Sequence, residues 1–331
     1  MKLGIHDVMP GIEGLTTQEL YQNSIELVTT LEKEGYHRYW VAEHHDMDFV
    51  GSSTPEIFIA YLAAITDTIR LGSGGTMVMH YSPLKIAEVF KTLSVLAPNR
   101  IDLGIGRAPG GGRESMIALA GDPSKVDMSE PLDKVETILD YLLEKNPKGY
   151  FDRTTAIPRY TESKIEPWIL ASTGNTAIRS GELGLPYSLA RFFGMNFPEN
   201  TFDQYRKAFK PSEFFDKPIT SMSYWITLAD TEEEANFLAR PGEIAMASNN
   251  TLPIMDPEKA KDYAISSEAQ ERIEYAYQQR FLLKGTPDQV EAILAEEVEK
   301  YGLDEVLSYM PIYDIKDKIY SYKLLAKIFN K

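Results

Sequence analysis

From its first residues to its last, the chain alternates between short apolar runs that suit strands and longer segments with helical spacing. Strands are expected at 2–6, 38–42, 70–73, 100–105, 168–171, 187–190, 223–228 and 306–310, each rich in aliphatic, β-branched or aromatic side chains. Helices are expected at 17–34, 55–66, 84–97, 130–145, 174–182, 201–209, 231–239, 287–301 and 315–328. Such alternation implies parallel strands joined by helical crossovers. Eight units favour an α/β fold of the closed (β/α)8 TIM barrel type over an open doubly wound sheet. The 331 residues would allow two domains. Barrels of this kind routinely exceed ~250 residues, so a single barrel domain over 1–331 is expected.

Boundary residues agree with this division. Thr16 and Thr17 can cap the first helix, and Thr231 with Glu234 has capping-box spacing. Gly35 and Gly184 stand where helices should stop. Two connections are longer than ordinary loops, about 106–129 and about 240–286. As βα-loop insertions they would lie over the barrel mouth. Helices 55–66 and 84–97 are apolar nearly all round, whereas an outer barrel helix should carry a polar face. Either an insertion folds over them or a second subunit does, and the simpler expectation is a homodimer through these two helices.

Composition excludes several function classes. The net charge of −15, from 34 Lys and Arg against 49 Asp and Glu, disfavours nucleic acid or an anionic membrane as a partner. Cysteine is absent, which removes disulfides, thiolate metal sites and a thiol nucleophile. No stretch approaches the roughly 20 apolar residues of a membrane span, and the N-terminus has no signal-peptide core, so a cytoplasmic chain is expected.

Four expected strands end in residues that can carry chemistry, at the barrel end where such enzymes keep their sites. Strand 38–42 runs into Glu43-His44-His45-Asp46. Imidazole titrates near neutrality and suits general acid–base work. Alternation along the chain should point one histidine into the mouth and the other outward, which argues against a metal pair. Strand 70–73 ends in Gly74-Gly75, which suits either close backbone approach or a tight bend. Strand 100–105 ends in Gly106-Arg107, too far from the dinucleotide fingerprint, and Arg107 reads as a fork for phosphate or carboxylate unless it joins a surface ion pair. Strand 168–171 ends in Ser172-Thr173-Gly174-Asn175, either a simple helix cap or an anion site. Because the preceding strand supplies Arg107, a phosphate could bridge the two loops. Neither a nucleophile elbow nor a P-loop is present.

Taken together, Arg38-Tyr-Trp-Val-Ala-Glu-His-His45, Ile69-Arg-Leu-Gly-Ser-Gly-Gly75, Arg100-Ile-Asp-Leu-Gly-Ile-Gly-Arg107 and Ile169-Leu-Ala-Ser-Thr-Gly-Asn175 resemble the bacterial luciferase-like flavin-dependent monooxygenases, in the same order and spacing along essentially the whole chain. The resemblance implies His44 as the catalytic acid–base group. It implies Gly74, Gly75, Gly106, Arg107, Ser172, Thr173, Gly174 and Asn175 as flavin-binding residues, with no metal. Arg107 and the Ser172–Asn175 junction would hold the phosphate, Gly74-Gly75 would form a cis peptide under the ring, and His45 and Glu88 would approach one another across a dimer interface. It further implies reduced FMN from a separate flavin reductase, dioxygen as co-substrate and a small organic substrate, with segment 240–286 as a lid. Gly106 stands where the luciferase α subunit has a reactive cysteine, and Ala190-Arg191-Phe192-Phe193 departs from the family pattern beside the substrate cleft. The same residues leave open a deazaflavin-dependent dehydrogenase, a non-catalytic flavin-binding or storage protein, and an unrelated barrel hydrolase using Glu43.

Overall fold

The computed structural model describes residues 1–126, 131–249 and 251–329. Ten strands follow in chain order: β1 (Lys2–Asp7), β2 (Arg38–Val41), β3 (Arg70–Ser73), β4 (Thr76–Met77), β5 (Ile101–Gly106), β6 (Ile165–Ala171), β7 (Tyr187–Ala190), β8 (Thr220–Leu228), β9 (Leu282–Gly285) and β10 (Glu305–Tyr309). Eight of them form a closed parallel barrel in the order β10-β1-β2-β3-β5-β6-β7-β8, sealed where β8 pairs with β10 from Ser221 opposite Glu305 to Trp225 opposite Tyr309. These are the eight strands expected from the sequence, within three residues at each end. The barrel class is therefore as expected.

The helices surround the barrel: α1 (Thr17–Lys33), α2 (Pro55–Ala63), α3 (Pro83–Leu96), α4 (Arg113–Ala120), α5 (Pro131–Leu142), α6 (Ala177–Glu182), α7 (Thr201–Ala208), α8 (Glu232–Ala247), α9 (Pro257–Lys261), α10 (Ser267–Gln278), α11 (Pro287–Tyr301) and α12 (Ile315–Phe329). The first shows why they form where they do. Thr16 caps α1, and the Glu19 carboxylate accepts from the Thr16 N–H at 2.8 Å, so two otherwise orphaned donors are satisfied. Leu20, Leu27, Val28 and Leu31 then fall on one buried stripe, and Gly35 (φ +84°) turns the chain toward β2.

Several expected boundaries are corrected. Helix 231–239 runs on through Pro241 to Ala247, because the buried face from Ala235 to Ala247 outweighs the one N–H lost at proline. Helix 55–66 stops at Ala63, and 174–182 opens as a 3-10 turn over Gly174–Thr176. The two long connections contain α4, α9 and α10, while β4 and β9 are short extra strands; β9 extends the upper half of β8, with Trp225 opposite Leu282. Ser129, Glu130 and Asn250, which closed or belonged to expected segments, lie outside the described residues. No helix among the described residues is long and apolar enough to cross a membrane. No described insertion covers α2 and α3, for Ile57 is 67% and Leu96 62% exposed.

The N-terminal end of the barrel is plugged by charge. The Arg38 guanidinium lies inside the barrel with 1% exposure. Its Nε donates to Glu305 Oε2 at 2.7 Å and its Nη2 to Glu305 Oε1 at 3.1 Å, while its Nη1 pairs with Asp102. Asp102 also accepts from Arg70 Nε at 2.8 Å and Trp40 Nε1 at 2.9 Å. Burial pushes the Asp102 carboxyl up, but Arg38 and Arg70 outweigh it and hold it below its usual range. The apolar layer of Trp40, Trp168 and Leu307 lies nearby, with the Arg38 guanidinium 4.6 Å over the Trp168 ring. Removing one partner strands the others in a dry site. Asp102→Asn is expected to cost about 3–5 kcal/mol, read as a lower urea midpoint. An unshifted midpoint would mean that the network does not hold the barrel together.

Candidate active site

Neighbouring strands β2, β3, β5 and β6 place the expected site residues along one arc of the C-terminal rim. At the usual strand spacing this arc spans about 14 Å.

The β2 end comes first. Glu43 is buried and fully committed: its Oε1 accepts from Tyr81 OH at 2.6 Å and pairs with His45 Nε2 at 2.9 Å, and its Oε2 accepts from the Met77 N–H at 2.9 Å. It does not line the cavity, which removes the support for a hydrolase acid at this position. The glycine run after β5 closes against this turn. His45 N donates to Gly110 O at 2.7 Å, and a Cβ on Gly111 would stand 2.5 Å from His45 O. His44 and His45 do point apart, as alternation requires. His45 turns to Glu43 within this chain, while Glu88 accepts from the Ile157 N–H at 3.3 Å.

His44 lines a cavity of about 1050 Å³. Its Nδ1 is buried without a hydrogen-bond partner among the described residues. Burial, helped by the neighbouring His45, lowers its pKa to about 4, so the ring is neutral at physiological pH. The cavity's other walls include Phe192, Phe193, Trp225 and Tyr309 from the barrel and Met246 and Ile254 from the 240–286 segment, while α10 adds the charged Glu268, Glu271, Arg272 and Glu274. That segment is stitched down over the mouth by Glu13 N to Ile254 O at 2.9 Å and Ile254 N to Gly11 O at 2.8 Å. Arg191 turns away from the cavity, where its Nη2 donates to Gln279 O at 2.7 Å beyond the end of α10.

The remaining residues stand beside the cavity, outside its lining. The Gly74-Gly75 peptide bond is cis. A Cβ on Gly75 would fall 2.8 Å from Gly104 O and 2.9 Å from Gly106 N, so only glycine fits against β5. Register sets Ile105 opposite Ile169, and therefore starts the Arg107 and Ser172 loops side by side. Arg107 forms no salt bridge with a described residue, but its charge reaches Tyr187, whose hydroxyl donates to Thr173 O at 2.8 Å. The Thr173 side chain makes no capping bond, so the cap does not use up its hydroxyl. Gly174 has no room for a side chain, since a Cβ there would meet Thr201 Oγ1 at 2.6 Å.

One residue escaped the sequence reading. His6, near the end of β1, is buried in the mouth with Nε2 2.5 Å from Gly74 O and Nδ1 3.1 Å from Ser223 Oγ. Its signal was available, because it is a histidine at the C-terminal end of a barrel strand, as His44 is.

Neutral imidazoles at His6, His37 and His44 make stability depend on pH, burial lowering His37 to about 4 as it does His44. Burial lowers His6 to about 4 as well. Below its usual 6.5 the unfolded chain takes up protons that the fold refuses, so stability present above pH 6.5 is lost as pH falls. At pH 5, His6 alone costs about 2 kcal/mol. The buried carboxylates Asp7, Asp102 and Glu305 are held low and lose their contribution only further into acid. A urea midpoint that falls between pH 7 and pH 5 is expected, and a constant midpoint would contradict the neutral-imidazole assignment.

Comparison with known proteins agrees with this fold. The family model described as luciferase-like monooxygenase matches residues 1–305. The chain is 34% identical to a luciferase-like monooxygenase of Escherichia coli strain K12 over 325 residues, 97% of this chain and 95% of that protein. It superposes on the crystal structure of apo-MsnO8 with a TM-score of 0.89, 33% identity and coverage of 99% and 98%. It shares the fold of the oxygenating constituent of 3,6-diketocamphane monooxygenase from Pseudomonas putida, solved in complex with FMN, at a TM-score of 0.72, 17% identity and coverage of 99% and 97%. The strand-end motifs, the closed barrel and a match over 1–305 converge on one conclusion: this chain belongs to the luciferase-like monooxygenase family.

Proposed function

We propose that the chain is the oxygenating component of a two-component monooxygenase that takes reduced FMN from a separate reductase and, with dioxygen, oxidises a small organic substrate. The observation that carries this reading is the pairing of a neutral, desolvated His44 at a largely apolar cavity with an adjacent rim of unspent anion-binding groups. Arg107, which has no carboxylate partner among the described residues, would grip the phosphate together with Ser172, Thr173 and the backbone of Gly174 and Asn175. Gly74, Gly75 and Gly106 keep side chains out of the space for a flat ring. When bound, reduced FMN supplies the electrons that activate dioxygen. His44 carries one ring proton and presents its other nitrogen as an acceptor, so it can take or return a proton without first losing a charge. The aromatic walls and the 240–286 segment would shield the site from bulk water, as a reaction whose activated oxygen must reach the substrate rather than escape requires. A reaction fed by a diffusing reduced flavin suits a cytoplasmic enzyme.

Anaerobic titration with reduced FMN, followed by oxygen uptake and product analysis, tests the reading. Arg107→Ala should weaken binding at least tenfold. His44→Ala should bind normally and lose about 10²–10³-fold in product yield. Normal product from His44→Ala overturns its role. Turnover without oxygen would indicate a hydride-transferring, deazaflavin-type enzyme, and binding without turnover a flavin store.

The same reading makes the exposed faces of α2 and α3 a homodimer interface, in which a second copy covers Ile57 and Leu96. Leu96→Glu should shift the sedimentation coefficient from dimer to monomer. A wild-type monomer would remove the proposal.

A further inference from the structure

We propose that His6 is a positioning residue: anchored by Ser223, it locks the Gly74 carbonyl by a hydrogen bond across the barrel mouth, and so sets the floor on which the flavin ring would lie. The inference rests on the flavin reading above for its consequence, but not for its geometry.

The protonation pattern follows from the partners. Gly74 O can only accept, so His6 Nε2 carries the proton. A neutral imidazole has one N–H, which leaves Nδ1 as an acceptor for the Ser223 hydroxyl at 3.1 Å. Burial keeps the ring neutral, and both bonds therefore depend on a single tautomer. The reach is long: β1 pairs with β10 and β2, yet His6 bonds to a residue on β8 and to the segment after β3. Its ring stands edge-on to Phe192 at 5.1 Å, a wall of the His44 cavity.

Gly74 is held at both of its backbone polar groups. Its N–H donates to Val41 O at 2.7 Å, and its carbonyl meets His6. A Cβ on Gly74 would stand 2.9 Å from His6 Nε2, so glycine and histidine are fitted to each other. An aliphatic residue at position 6 would fill the space but leave that carbonyl without its donor.

The test compares His6→Leu, which keeps bulk and removes the donor, with His6→Gln, which restores an N–H, and with Ser223→Ala, which removes the anchor. Selectively labelled full-length protein reports the Gly74 carbonyl and the His6 ring nitrogens by NMR, and anaerobic titration reports reduced FMN affinity. Wild type should show one Nε2–H tautomer. His6→Leu should move the Gly74 signal and weaken FMN about tenfold, His6→Gln should recover most of that affinity, and Ser223→Ala should mix the tautomers. Wild-type FMN affinity in His6→Leu, or equal losses in Leu and Gln with Gly74 unmoved, would overturn the proposal in favour of plain packing. If wild type binds no FMN, the flavin reading fails by itself. The lock then stands or falls on the Gly74 signal and the tautomer. If His6→Leu does not fold, the wild-type tautomer together with Ser223→Ala and His6→Gln decides.

Discussion

A guanidinium inside a barrel is tolerable only when its nitrogens find acceptors, and each of the three nitrogens of Arg38 does so by joining strands far apart in the chain. Glu305 comes from β10, Asp102 from β5, and Arg70 from β3 shares the same carboxylate. Each charge makes the others affordable in a medium of low dielectric. These bonds reach from β2 past its immediate neighbours β1 and β3, to β10 and to β5.

With the lower end settled by charge, the upper end can hold groups that add little to stability. Buried imidazoles at His6 and His44 stay neutral well into acid because the fold denies them water, and the fold becomes less stable in acid as a result. The Glu43 carboxylate does a different job. It organises His45, Tyr81 and the Met77 N–H behind the site, and it holds the β2 turn against the glycine run that leaves β5. The cavity-lining His44 and the bracing Glu43 thus lie on adjacent residues of one turn, separated by the alternation of the chain.

The strands were legible because a barrel strand buries both faces and reads as a short apolar run. The site motifs were legible because barrel chemistry collects at strand ends, where glycine, histidine and arginine stand out against an aliphatic background. Helix α10 was not found, although Ala269, Ile273 and Ala276 are buried at helical spacing. Its many charged residues hide that narrow stripe. Helix α8 was cut short at Pro241, because local rules weigh a lost N–H and cannot weigh the buried face that carries the helix on.

The amino-acid sequence by itself determined the eight barrel strands, the barrel class and the residue types at each strand end, since these depend on local spacing and side-chain chemistry. Only the tertiary structure decided which of those residues work together. It turned Glu43 into a brace, left His44 Nδ1 without a partner, and brought His6 to Gly74 across 68 residues of chain. The physical reason is that hydrogen-bond satisfaction and desolvation depend on which atoms share a buried space, and closing the barrel is what creates that space.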